Sequence, residues 1–295
     1  MMIFSGDINA ASLARDGRRE FYGMAALCLP SFILVFILLI LPIGWLFWMS
    51  LFNADGAFSA ENYVRLFDST YTSTLVTTFQ VGFLVTVISV VLGYPLAYML
   101  SQLPPRLAGL CTIFVVLPFW TSTLVRTYAW MLLLQRKGII NSALISLGLI
   151  ADPIRMVNNM TGTVIGMVHI MLPFLVLPLY GVMKSISPDY VRAAANLGAG
   201  PTRAFWTIFL PQSLPGLTAG MLLVFVLCLG FYVTPALLGG GRVIMWSMMI
   251  DSSIRLYANW GAASALGVAL LVMTFCVLWL VNRLFGLKRL YGESR

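Results

Sequence analysis

The chain has 295 residues, of which 60% are hydrophobic and only 9% charged, with a formal net charge of +8. Soluble domains carry about 25% charged residues, so this composition excludes an ordinary water-soluble fold and points to an integral membrane protein. A nucleic-acid function would need basic residues clustered on a soluble face, whereas here they are scattered between apolar runs.

A helix needs about 20 apolar residues to cross a hydrocarbon layer about 30 Å thick. Six such runs follow one another: Phe21 to Phe52, Leu75 to Leu100, Leu107 to Leu134, Thr161 to Met183, Leu214 to Val233 and Gly261 to Val281. Each must be helical, because lipid offers no partner to an unpaired amide and the runs lack the period-two alternation of a barrel strand. The expected fold class is an all-α integral membrane protein with six transmembrane helices. The first run follows Arg18 and Arg19, but it is far longer than the roughly 7 to 15 apolar residues of a cleavable signal, so it is expected to remain as an anchor.

An even number of spans puts both ends on one side, and Lys and Arg favour the cytoplasm. With the N-terminus inside, Arg15, Arg18, Arg19, Arg106, Lys184, Arg192, Arg203, Arg283, Lys288, Arg289 and Arg295 are cytoplasmic, eleven of the eighteen basic residues. Both termini are therefore expected inside. The division that follows is an N-terminal segment 1–20, a first transmembrane helix 21–52, an outer loop 53–74, a five-helix core 75–283 interrupted by a cytoplasmic loop 184–213, and a cytoplasmic tail 284–295.

Signs of catalysis are missing. Cys28, Cys111, Cys228 and Cys276 lie in apolar surroundings without metal or redox spacing. Zinc-protease, nucleophile-elbow and P-loop motifs are absent, so nothing in the chain is assigned a catalytic or metal-binding role. The single histidine, His169, falls inside the fourth run. A polar residue there is expected to face the bundle interior and bond a neighbouring helix, the alternative being a place along a solute path.

The stretch SPDYVRAAANLGAGPTRAFWTIFLP, Ser187 to Pro211, interrupts the apolar pattern. Ser187 is a good N-cap, Pro188 suits the first helical position, and Asp189 favours the positive end of the helix dipole. A helix of about ten residues is expected from Pro188 until Gly198, which can adopt the left-handed conformation that ends helices. A second helix is expected over Thr202 to Leu210, stopped by Pro211. Membrane-surface helices carry bulky apolar residues on one face and Lys or Arg on the other, whereas this one has Ala193, Ala194 and Ala195 and a single Arg. A low-profile surface of that kind suits close docking by another protein.

These residues carry a resemblance. AAANLG followed by IFLP is similar to the EAA motif of permease subunits in ATP-binding-cassette importers, with Ala193, Ala194, Gly198, Ile208, Leu210 and Pro211 at matching places. ENYVRLF, LGYPLAYML, LPFWTSTLVRTYAW, GIINSALISLGLI and LPFLVLPLYGVMKSI resemble, in order, segments of spermidine/putrescine importer permeases, and FYVTPALLGGGR resembles an outer loop of the wider polyamine group. The resemblance implies a type I importer permease fold, with spans two to six as the shared core and the first span packed around it. It also implies as partners two ATP-binding subunits, a second permease subunit and an extracytoplasmic solute-binding protein. ATP and Mg would be bound by the partner ATPase, with no cofactor in this chain.

By the same resemblance the ATPase-coupling residues would be Asp189, Arg192, Ala193, Ala194, Asn196, Leu197, Gly198, Leu210 and Pro211. One departs from the family pattern: Arg192 stands where the motif has Glu, and Asn196 where related chains often carry an acid. Like charges opposed across an interface cost affinity, so either the ATPase surface is altered or the companion permease carries the charged contact, and a different second permease chain is the natural expectation. Candidates for the solute path are Trp120, Arg126, His169, Tyr232 and Asp251, with Phe119, Tyr128, Trp130, Trp246 and Tyr257 as further aromatics. Aromatic faces attract cations, but Arg126 would repel a polyamine if it faced the pore. Its alternatives are snorkelling or pairing with an acid such as Asp251. The family-level expectation is a polyamine, with a non-polyamine solute or a secondary transporter as the alternatives.

Overall fold

The computed structural model describes residues 20, 22–53 and 56–285; the expectations for residues 1–19, for Phe21 and for the tail beyond 285 lie outside the described residues. Among these residues the chain is helical, with one isolated antiparallel bridge between Phe52 and Phe58. Five helices among the described residues are long and apolar enough to cross a membrane, and a bent pair brings the number to six if it is counted as one span.

The first helix, α1 (Tyr22–Met49), has no buried residue in its most apolar stretch, and its second half leans on the final helix. A short outer segment, α2 (Glu61–Val64), leads into α3 (Ser69–Gln102). Asn62 seats that segment by donating to the carbonyls of Ser50 at 3.1 Å and Phe52 at 2.7 Å.

The expected third span is not one straight helix. Helix α4 (Pro105–Val116) tightens into a 3-10 turn over Leu117–Trp120, and the chain leaves as α5 (Thr123–Leu134) and α6 (Ile139–Ser146). The two segments Pro105–Trp120 and Thr123–Ser146 are bent by 98°. Pro118 supplies no amide to the helix ladder, and Thr121 and Ser122 take extended ψ values of 144° and 136°. A run of apolar residues reports burial or lipid contact, not direction, so the turn was invisible to it.

The centre of the fold is α7 (Met160–Ser185), which packs along both α3 and the long helix α9 (Pro201–Leu229). Val81, Val85, Met167, Leu175, Val224 and Cys228 are fully buried between them. Without a hydrophobic drive between helices in lipid, such contacts depend on close van der Waals approach through small residues. The glycines supply it: a methyl added at Gly93 would lie 2.6 Å from Leu175 Cδ2, one at Gly220 3.0 Å from the Leu175 carbonyl, and one at Gly216 2.8 Å from Val182 Cβ.

Helix α9 also corrects the expected stop at Pro211 and the expected start of the fifth span at Leu214. It runs from Pro201 through Pro211 because a π-turn over Phe205–Phe209 lets the Leu210 amide bond to the Phe205 carbonyl, five residues back. The wider turn absorbs the missing proline donor. Beyond Leu229 come α10 (Val233–Leu238), α11 (Trp246–Arg255) and α12 (Trp260–Phe285). Trp246 locks these last elements to the core: its amide donates to Thr78 Oγ1 at 2.8 Å and its indole to the Leu266 carbonyl at 2.9 Å.

Gly216→Val should wedge α9 from α7 and cost about 1–3 kcal/mol, the usual scale for overpacking. A thermal melt of the detergent-purified chain is expected to shift downward; an unchanged midpoint would contradict the close helix contact.

Candidate functional site

Pro188 opens helix α8 (Pro188–Asn196) at its first position, and Ser187 caps it with a side chain that accepts from the Asp189 amide at 3.3 Å. The exit is a Schellman closure. Gly198 has φ +84°, its amide bonds to the Ala195 carbonyl at 2.9 Å, and the Ala199 amide bonds to the Ala194 carbonyl at 2.9 Å. Start and stop are thus as the residues predict.

Ala194 is buried against the rest of the loop, whereas Ala193, Ala195, Asn196, Leu197 and Gly198 are exposed. Tyr190 is 56% exposed and Leu197 89%, an unusual amount of open apolar surface for a nine-residue helix. Between α8 and the start of α9 lies a depression of about 470 Å³ lined by Tyr190, Ala193, Ala194, Leu197, Ala199, Arg203 and Ile208. Arg192 sits on the exposed side, 3.3 Å from Asp189 with both side chains more than three-quarters open, so their attraction is screened by water and contributes little. Leu210 and Pro211, expected on the same surface, belong instead to the membrane helix α9; Pro211 is exposed and Leu210 half-buried.

The solute-path candidates do not form one cluster. Thr123, Arg126, Thr127 and Trp130 recur at three- and four-residue spacing along α5. The Trp130 indole donates to His169 Nδ1 at 3.0 Å, Thr127 bonds Thr234 of α10 at 3.1 Å, and an Arg126 amine reaches Thr123 at 3.4 Å. His169 therefore bonds a neighbouring helix, as a polar residue in a span should. Because Nδ1 accepts, the neutral ring carries its proton on Nε2. Arg126 Nε is buried with no hydrogen-bond partner among the described residues.

The suggested pairing of Arg126 with Asp251 does not occur. Asp251 instead holds Arg255 of its own helix at 2.7 Å and accepts from the Tyr232 hydroxyl at 3.0 Å; one helical turn separates Asp251 from Arg255, which makes the local pair the easier one. That hydrogen bond raises the Tyr232 phenol above its ordinary value near 10. Trp120 stands apart at the α4 bend, 88% exposed. The chain pattern had not singled out Thr127 or Thr234, although the spacing of polar residues along α5 was a usable signal for the first.

Residues 56–286 match the family model described as binding-protein-dependent transport system inner membrane component. The spermidine/putrescine transport system permease protein PotB of Haemophilus influenzae is 33% identical over 258 residues, covering 85% of this chain and 88% of that protein. The protein of the same name from Escherichia coli K12 is 33% identical over 234 residues, covering 78% and 85%. Among solved structures, a chain of a bacterial ABC transporter involved in the import of the acidic polysaccharide alginate superposes with TM-score 0.73 at 18% identity, covering 96% of this chain and 100% of that one.

Gly198→Val should destabilise the α8 exit, since left-handed backbone costs about 1–2 kcal/mol for a residue with a Cβ. Hydrogen exchange at the Gly198 and Ala199 amides is expected to quicken while exchange within α7 stays slow; unchanged protection at both amides would refute the Schellman closure.

Proposed function

The chain belongs to the family of binding-protein-dependent transport system inner membrane components, non-catalytic multi-pass permease subunits of ABC importers, and from that premise we propose that it forms half of the path for a small organic solute of the polyamine class. Family membership removes the secondary-transporter alternative. The polyamine reading is supported by the two PotB proteins, whose names refer to spermidine and putrescine.

The observation that carries the mechanism is α8, a capped, exposed helix joined by short segments to α7 and α9, which pack along one another in the core. In this reading the loop faces the cytoplasm, both chain ends lie on that side, and α8 docks with one of two ATP-binding subunits. Asp189, Arg192, Ala193, Ala194, Asn196, Leu197 and Gly198 form or border the docked surface. Leu210 and Pro211 act one step inward, where the π-turn of α9 receives the displacement. ATP and Mg stay on the ATPase, a second and different permease completes the path, and an extracytoplasmic solute-binding protein delivers the solute. Closure of the ATPases moves α8, and tight packing converts that movement into a tilt of α7 and α9 rather than a local dent.

Arg126 favours a second reading of the solute. Its guanidinium has no carboxylate within 4 Å among the described residues, which is poor lining for a polycation. A small organic solute other than a polyamine fits that observation better. On either reading Trp120, His169, Tyr232 and Asp251 remain proposed path residues.

Reconstitution with the ATPase and second permease in lipid should give ATP hydrolysis stimulated by solute-loaded binding protein and uptake that needs ATP; uptake without ATP would end the importer reading. Arg192→Glu should lower coupled uptake at least about tenfold if the charge meets a complementary acid. Full retention of uptake would show that α8 docks by shape alone.

A further inference from the structure

The end of α7 opposite the α8 loop carries an ordered surface built from residues 135–159, and its geometry is fixed without help from its charges. Asn141 is fully buried. Its amide donates to the carbonyls of Gln135 and Ile154, each at 3.0 Å, and its oxygen accepts from the Ile154 amide at 2.9 Å. Asn159 caps α7 by accepting from the Gly162 amide at 3.0 Å and donates to the Arg155 carbonyl at 2.6 Å. The turn at Gly239 to Arg242 rests against this segment so closely that a methyl on Gly240 would lie 2.4 Å from Asn158 Cβ.

On this scaffold Arg136, Lys137, Arg155 and Arg242 are all exposed. None lies within 4 Å of a carboxylate among the described residues, and Asp152 is the one acid in the segment. Arg136 and Arg155 line a single depression of about 480 Å³ together with Gln135 and Asn158. Four cations are thus held on a rigid surface to which they contribute no ion pair. Fixed like charges raise the local potential and attract an acidic surface over about 10 Å at 0.1 M salt. The surface crowns α5 and α10, which pack on the central helix, rather than the peripheral α1 and α12. That position favours a folded partner seated over the path rather than lipid headgroups around it.

We propose that Arg136, Lys137, Arg155 and Arg242 form an electrostatic docking platform for the solute-binding protein, and that the matching face of that protein is acidic. This rests on the importer reading above, which makes the platform the outer face.

The test uses the complete importer in lipid nanodiscs, with ATP hydrolysis followed against the concentration of its own solute-loaded binding protein. The double variant Arg136→Glu/Arg155→Glu should raise the half-maximal concentration at least about tenfold in low salt, and the difference from wild type should shrink towards twofold at about 0.5 M salt, where exposed charges are screened. Arg136→Lys/Arg155→Lys should stay within about twofold of wild type, which separates charge from loss of fold. An unchanged half-maximal concentration in low salt, or an effect equally large at both salt concentrations, would overturn the platform. Wild-type hydrolysis that ignores the binding protein would overturn the importer reading itself and the platform with it.

Discussion

Hydrocarbon offers no partner to a backbone amide, so each crossing must satisfy its own ladder, and helices can then associate only through shape. In this chain the decisive contact is α7 between α3 and α9, where glycines at 93, 216 and 220 let side chains from α7 reach neighbouring backbone. Both proposed docking surfaces are attached to that contact. At one end of α7 the chain turns into α8, and at the other Asn159 fixes the 135–159 surface. At 1.5 Å per residue α7 spans about 39 Å, so one helix links the two surfaces even with Pro173 and Pro178 inside it.

The irregular backbone occurs where that constraint is relaxed by protein packing. The bend after Trp120 and the break after Leu229 leave α5 and α10 in mutual contact, both lying on α7, so their ends are lined by protein rather than by lipid alone. The polar groups collected there, Thr127 with Thr234 and Trp130 with His169, pair with one another. Arg126 is the exception, since its Nε has no hydrogen-bond partner among the described residues. A buried donor of this kind normally costs stability, so Arg126 is the one group of this cluster that the fold itself leaves unmatched.

The sequence made the membrane class, five of the candidate spans and the limits of α8 legible, because each depends on local chemistry: apolar length, a serine cap, a glycine with positive φ. It did not reveal the 98° bend, since Leu107 to Leu134 reads as one span whichever way the chain turns. Nor did it foresee that α9 would pass through Pro211, because a π-turn replaces the lost hydrogen bond and leaves no compositional trace. The pairing of Arg126 with Asp251, one of the alternatives raised for that arginine, fails for a similar reason: four-residue spacing to Arg255 gives Asp251 a local partner, while any pairing with Arg126 needed a tertiary geometry that composition cannot supply.

The distribution of charge completes the division of labour. Each of the three ion pairs among the described residues joins side chains three or four apart in the sequence, and none ties two helices together. The fold is therefore held by apolar packing, small-residue contacts and a few neutral hydrogen bonds, which removes any structural demand for most of the cations. A change at most of these cations would therefore break no ion pair between helices. Arg192 on α8 is a case in point: its one ion pair among the described residues is the exposed one with Asp189, so the core does not depend on its charge.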